Sequence, residues 1–170
     1  MSLTIRRIRA DEWHRLRALR LHALADVPTA FGSTLAHEEA FAETVWRERA
    51  AGGAAGDDRV TVIAEQDGRW VGLATCLLSS PDEPEAAVPT LVGMFVESSA
   101  RRQGIGKALV DTIVGWARNR GAARLALWVT SSNRAAIALY SRCGFRLTGK
   151  TKALAHSPAL WECEMMREVE

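Results

Sequence analysis

The chain has 170 residues, 48% of them hydrophobic and 25% charged, which is enough apolar material for one folded unit and argues against disorder. A formal net charge of +2, with basic residues only in short runs, gives no electrostatic footprint for nucleic acid. No apolar run approaches membrane-spanning length and no signal-peptide core follows Met1–Ile5, so neither a membrane partner nor export is expected. The three cysteines, Cys76, Cys143 and Cys163, lie far apart in apolar surroundings. They lack CxxC or Cys/His spacing, so they are expected to be buried, reduced thiols of a cytoplasmic protein and not metal ligands.

In chain order, Leu3–Ile8 alternates apolar and charged residues as a half-buried strand does. Asp11 is expected to cap a helix from Glu12 to about Ala25, with Trp13, Leu16, Leu19 and Ala23 on one side, ended by Asp26-Val27-Pro28. A second helix is predicted over Thr34–Arg49, with Glu38, Glu39 and Glu43 as a solvated acidic face, and Gly52-Gly53 and Gly56-Asp57-Asp58 as a loop. Val60–Glu65 and Trp70–Leu78 are strand-like and flank Asp67-Gly68, a strong hairpin signal. Ser79–Pro89 reads as a polar loop and Thr90–Val96 as a short strand.

The clearest helix follows. Ile105, Ala108, Leu109, Thr112, Ile113, Trp116 and Ala117 repeat at helical spacing, and Gly121 closes the run. Leu125–Val129 is a buried strand. Asn133 caps a further helix carrying Ala136, Leu139, Tyr140 and Cys143 on one face, with Gly144 as terminator. Phe145–Thr148 and Leu160–Met166 complete the strands. Helices between strands require crossovers, so part of the sheet is expected to be parallel, with helices on both faces.

Strand Leu91–Val96 runs through a polar turn into Gly104-Ile105-Gly106 and the amphipathic helix. The first N–H groups of a helix lack intrahelical partners, its dipole favours negative charge there, and glycine admits a phosphate close to the backbone. Arg101, Arg102 and Lys107 add positive charge. A dinucleotide fingerprint would need a third glycine where Leu109 stands, and a Walker A loop would need Ser or Thr where Ala108 stands.

Arg101-x-x-Gly104-x-Gly106 instead resembles the phosphate-loop signature of the GNAT superfamily of acyl-CoA N-acyltransferases. Leu91–Val96 is similar to that family's cofactor strand, and Asn133–Phe145 resembles its second block, N-x-x-A-x-x-[L/F]-Y-x-x-x-G-F. Ala30-Phe31-Gly32-Ser33 resembles a common bacterial subgroup, while Ser98 stands where many members have proline. The resemblance implies one domain over 1–170 with an α/β fold. Its sheet would be mixed but largely antiparallel, with one parallel crossover pair and helices on both faces.

By the same resemblance, acetyl-CoA is the cosubstrate. The backbone of Arg101, Arg102, Gln103, Gly104, Ile105, Gly106 and Lys107 would hold the pyrophosphate, and Met94, Phe95 and Val96 would pair with the pantetheine arm. An N–H near Phe95 or Val96 would stabilise the oxyanion, Asn133 would hydrogen-bond the arm, and Tyr140, the one tyrosine in the chain, would protonate the leaving thiolate. Without the resemblance, Tyr140 reads as a core aromatic and Asn133 as a plain cap.

The amine nucleophile must lose a proton, and the sequence leaves the base open among His37, Glu38, Glu39, Glu97 and water. Phe31, Trp46 and Trp128 are candidates for the acceptor wall. No serine or cysteine stands out as a nucleophile, which favours direct transfer. The reading is an N-acetyltransferase acting on a primary amine of a small molecule or protein. A non-catalytic acyl-CoA sensor, an enzyme using a longer acyl chain and a homodimer remain open.

Overall fold

The computed structural model describes residues 2–79 and 88–169, which leaves most of the expected Ser79–Pro89 loop outside the described residues. Seven strands form one sheet: β1 (Leu3–Arg7), β2 (Arg59–Gln66), β3 (Arg69–Leu77), β4 (Thr90–Val96), β5 (Arg124–Thr130), β6 (Arg146–Leu154) and β7 (Ser157–Glu168). They lie in the order β1-β2-β3-β4-β5-β7-β6. Every pairing is antiparallel except β4 with β5. The expected crossover is therefore this single pair, joined through α4 (Ile105–Asn119).

The helices lie on both faces, as expected. On one face α4 and α5 (Arg134–Arg142) cover a core of Ile105, Leu109, Ile113, Leu125, Leu127, Phe145 and Met165. On the other, α1 (Trp13–Asp26), α2 (Leu35–Glu39) and α3 (Glu43–Ala55) cover one of Leu19, Trp46, Ile63, Leu73 and Phe95. The α4 stripe differs slightly from the one read in sequence: Val110 and Val114 are buried, while Thr112 is exposed and donates to the Ala108 carbonyl.

Three local readings are corrected. Asp11 does not cap the first helix. Ala10–Glu12 form a 3-10 turn ahead of α1, and the Glu12 carboxylate accepts the Arg9 amide at 2.9 Å. The helix predicted over Thr34–Arg49 is two helices, because the chain turns at Ala40–Ala42, where Ala42 is extended (φ −63°, ψ 154°). Gly52-Gly53 belongs to α3 and not to a loop. A Cβ on Gly53 would lie 2.6 Å from Thr61 Oγ1, so glycine lets this helix close onto β2. Gly56, left-handed at φ 70°, ends the helix. The last two strands are also longer than their sequence pattern, since β6 is largely exposed and lacks a clean alternation.

Candidate active site

β4 and β5 pair only at Thr90↔Ala126 and Leu91↔Leu127. Past Leu91 the strands separate, leaving the rest of β4 with one unpaired edge. A bulge causes the change of course: Gly93 and Met94 together stand opposite Ala74, with Gly93 at φ 61°, a left-handed backbone that favours glycine. Beyond the bulge, the Glu97 amide donates to Val71 O of β3 at 2.8 Å. Backbone groups alternate in direction along a strand, so the Phe95 amide also faces β3, while those of Met94 and Val96 face the open edge. Of the Phe95 and Val96 amides, that of Val96 is the one on the open edge. The Phe95 side chain is buried beneath α1, while Met94 and Val96 pack toward α4.

The chain then turns through Ser98–Ala100 and Arg101–Gly104 into α4. Arg102 and Gly104 are left-handed (φ 64° and 79°), and Gly104 supplies no side-chain cap to the helix behind it. The opening N–H groups of α4 are thus presented beside the open edge of β4. A Cβ on Gly104 would meet nothing within 4 Å, so this is a cradle with room above it. Gly106 has a second reason to be glycine, since its Cβ would lie 2.9 Å from Leu139 of α5. The side chains differ in their engagement. Arg101 donates to Val96 O at 2.9 Å and pairs with Asp26 at 3.3 Å, tying the loop to β4 and α1. Gln103 accepts from Gln66, Lys107 pairs with Asp111 at 2.6 Å, and Arg102 is exposed.

Asn133 caps α5, its side chain accepting the Ala136 amide at 3.2 Å. Tyr140 lies one turn below Ala136, 7% exposed, in edge contact with Phe145. Burial, with a smaller contribution from Cys143, raises the Tyr140 pKa, so its phenol stays protonated at neutral pH.

The base candidates separate. Glu38 is fully buried and bound to two guanidinium groups, Arg20 at 2.9 Å and Arg49 at 2.8 Å. Burial alone would push its carboxyl up, but the hydrogen bonds and charge of Arg20, with Arg49, outweigh that and hold it at about 2. It is neither a solvated face nor a base. Glu39 and His37 are exposed, and Glu97 is half-buried beside Arg69 at 3.6 Å. Trp46 is buried under Phe41 and, with Trp13, His14 and Arg17, lines a cavity of about 390 Å³ between α1 and α3. Trp128 stands at the strand separation, directly after Leu127, while the Phe31 carbonyl contacts His156 in the β6–β7 turn at 2.7 Å. Sequence reading missed Glu164, which stands opposite Trp128 on β7 and is 5% exposed.

The thiols are free, with Cys76 and Cys143 buried and Cys163 only half-buried, less than expected. Burial pushes the Cys76 thiol up to about 12 and raises Cys143, so neither is a ready nucleophile. Among the described residues no helix is long and apolar enough to cross a membrane.

A strand pair that separates beside an uncapped helix N-terminus leaves an open strand edge next to unpaired N–H groups that can hold an anion. The family model described as the acetyltransferase (GNAT) family matches residues 14–145, and the chain belongs to that family. Human N-acetyltransferase 8 is 37% identical over 90 residues, covering 52% of this chain and 39% of that protein. The [ribosomal protein bS18]-alanine N-acetyltransferase of Escherichia coli strain K12 is 45% identical over 56 residues, covering 33% and 38%. The chain thus spans about two fifths of the length of these curated relatives. A putative acetyltransferase from Salmonella typhimurium, solved with its cofactor acetyl-CoA, superposes with a TM-score of 0.81 at 15% identity, covering 100% of this chain and 95% of the other. At that identity the likeness shows the fold.

Proposed function

We propose that the chain is a cytoplasmic bacterial N-acetyltransferase, with residues 1–170 as one catalytic domain, that moves the acetyl group of acetyl-CoA directly to a primary amine. The observation that carries this is the open edge of β4 lying beside the uncapped start of α4. These residues fit the cofactor. The backbone N–H groups from Arg101 to Lys107 would take the pyrophosphate, Met94 and Val96 would hydrogen-bond the pantetheine arm, and the Asn133 amide nitrogen, not used in the cap, is free to reach it. When bound, the cofactor supplies an activated thioester. The Val96 N–H then stabilises oxyanion charge and the Tyr140 phenol returns a proton to the leaving sulfur. Tyr140 also favours a transferase over a sensor, which needs no leaving-group acid.

Acetyl-CoA should raise the melting temperature by mass action, and NADH or ATP should do so little. Free thiol should appear only when a suitable amine is added. Acetyl-CoA that neither binds nor shifts the folded protein would remove the reading.

A further inference from the structure

Five side chains of β5, β6 and β7 share one face of the sheet beside the gap between β4 and β5. Opposite residues of an antiparallel pair share a face, so Trp128 and Thr130 of β5 share one with Glu164 and Glu162 of β7, and Lys152 of β6 joins them through Glu162. This is the face of α1, since Thr130 Oγ1 donates to Thr29 O just beyond that helix. Tyr140 lies in the opposite layer, among the α4–α5 core. Trp128 is the first β5 residue past the last pair with β4, so its ring stands at the strand separation.

Glu164 is nearly buried there, yet among the described residues its carboxylate accepts one hydrogen bond, from Thr148 at 2.8 Å, and forms no ion pair. An ionised carboxylate has room for about four donors, and burying it without a counter-ion is costly. Beside it the face already accommodates an alkylammonium: Lys152 Nζ lies 4.3 Å from the centre of the Trp128 ring. An acceptor ammonium that displaced Lys152 from the Trp128 ring would bring Glu164 the donor and counter-charge it lacks. The other titratable groups near this face are Glu162, Lys152 and, at the β6–β7 turn, His156.

We propose that Trp128 and Glu164 receive the ammonium head of the acceptor and that Glu164 takes its proton, so the acceptor is a strongly basic primary alkylamine. The proposal rests on the transferase reading and assigns the base that the sequence left open. One ammonium proton passes to Glu164 and on to solvent. The nitrogen lone pair forms the N–C bond to the acetyl carbonyl carbon, and the C–S bond breaks with its electron pair on sulfur. A second nitrogen proton goes to solvent as the sulfur gains one from Tyr140, which solvent reprotonates. Base and acid thus work from opposite faces of the sheet, through the gap between β4 and β5.

The test compares alkylamines such as 1,5-diaminopentane with aniline, which is neutral at pH 7. Wild type should prefer the alkylamines, with a kcat/KM nearly level between pH 7 and 9.5, because it uses the ammonium form. Glu164→Gln should lower alkylamine kcat/KM on the order of a hundredfold at pH 7. It should then rise about tenfold per pH unit, following the free-amine fraction below a reference pKa near 10.4. Acetyl-CoA affinity should not change. Trp128→Leu, at a half-exposed position, should raise the alkylamine KM about tenfold with kcat nearly intact. Calorimetry of 1,5-diaminopentane binding to protein loaded with CoA should show the same weakening without turnover. That titration and Trp128→Leu decide the matter if Glu164→Gln does not fold. A uniform loss with an unchanged pH profile would make Glu164 structural and overturn the proposal, as would aniline matching the alkylamines, or bound acetyl-CoA with no alkylamine turned over. Acetyl-CoA failing to bind wild type would instead remove the transferase reading beneath it.

Discussion

On the α4–α5 face of the sheet, Ile105, Leu109, Ile113, Leu125 and Phe145 interlock as an almost wholly apolar layer, and the open cleft beside it, where we place the cofactor, is shaped by backbone. On the α1–α3 face, the apolar cluster around Trp46 and Ile63 is crossed by charge. Arg20 and Arg49 close on Glu38, Arg6 and Arg15 on Glu12 and Glu65, and four arginines stack on Trp13, Phe31, Phe41 and Trp70. A ligand bound by peptide N–H groups needs particular backbone angles, and so glycines at fixed spacing. A ligand bound by side chains needs only that some residue reach it. One face therefore carries a spacing legible as a motif, and the other an arrangement of side chains that no fixed spacing announces.

The sharpest way to break this contrast is at Gly104. Its φ of 79° is open to asparagine as well as glycine, and nothing lies within 4 Å of a Cβ there. Gly104→Asp should abolish the acetyl-CoA-induced rise in melting temperature, because it sets a negative charge where the proposal puts the phosphates. Gly104→Asn, of equal size and neutral, should bind measurably. Equal binding by the folded Asp variant would show that phosphates do not use this helix end.

Tyr140→Phe comes next. General acid catalysis contributes on the order of a hundred- to ten-thousandfold, and a thiolate is a fair leaving group unaided, so kcat should fall toward the lower end, about a hundredfold. The acetyl-CoA KM should change little, because the hydroxyl matters most as sulfur gains charge. Phenylalanine keeps the contact with Phe145, so stability should barely move. Burial holds the phenol protonated, so Tyr140 should add no limb to the wild-type pH–rate profile near neutrality. Wild-type turnover by the folded variant would return Tyr140 to a packing role.

On the other face the corresponding test is Glu38→Gln, which leaves Arg20 and Arg49 with a neutral partner. Breaking a buried pair costs roughly 3–5 kcal/mol, or about 6–20 °C in melting temperature for a chain of this size. The acid limb follows from the same contact. Glu38 titrates at about 2 when folded against an ordinary 4.5, so its contribution is fully present above pH 4.5 and is lost as pH falls toward 2. That shift corresponds to about 3 kcal/mol. Wild type should therefore lose stability steeply across this window, and Glu38→Gln should flatten that part of the curve. Parallel acid limbs in the two proteins would mean that the ion cluster does not hold α2 in place.

Legibility in the sequence follows the same division. Strand β4, the glycine turn before α4, α4 itself and the Asn133 cap could all be read, because strand alternation, helical spacing and glycine positions are local properties. The break between α2 and α3 could not. Glu38, Glu39 and Glu43 look alike in sequence, and Glu38 is set apart only by its pairing with Arg20 of α1 and Arg49 of α3, across the break at Ala40–Ala42. Gly52-Gly53 read as a loop because its packing partner, Thr61, lies on a later strand. Glu164 was within reach: Glu162-Cys163-Glu164-Met165 alternates, and placing Met165 inward places both acids on the opposite face. What could not be seen was that Trp128 stands against it, since register between distant strands is a tertiary fact.

The smallest effect probes a residue that belongs to both descriptions. Asn133 is a local helix cap by geometry and a cofactor contact by proposal. Its side-chain oxygen accepts the Ala136 amide at 3.2 Å, which leaves the amide nitrogen to donate elsewhere. Asn133→Ala removes both functions and should cost about 1 kcal/mol of stability, or 2–4 °C. Asn133→Ser is the informative variant. A serine hydroxyl caps about as well, so α5 and the position of Tyr140 are kept, but it is shorter and reaches less far toward the cofactor. If Asn133 only caps, Asn133→Ser should match wild type in melting temperature, kcat and acetyl-CoA KM. If its amide also holds the pantetheine arm, stability should stay while the acetyl-CoA KM rises about five- to tenfold, the loss of roughly one hydrogen bond of about 1 kcal/mol. The second pattern is the one we expect. Paired measurements of melting temperature and acetyl-CoA KM on Asn133→Ser decide it, because a cap alone cannot raise KM in a helix that has lost no stability.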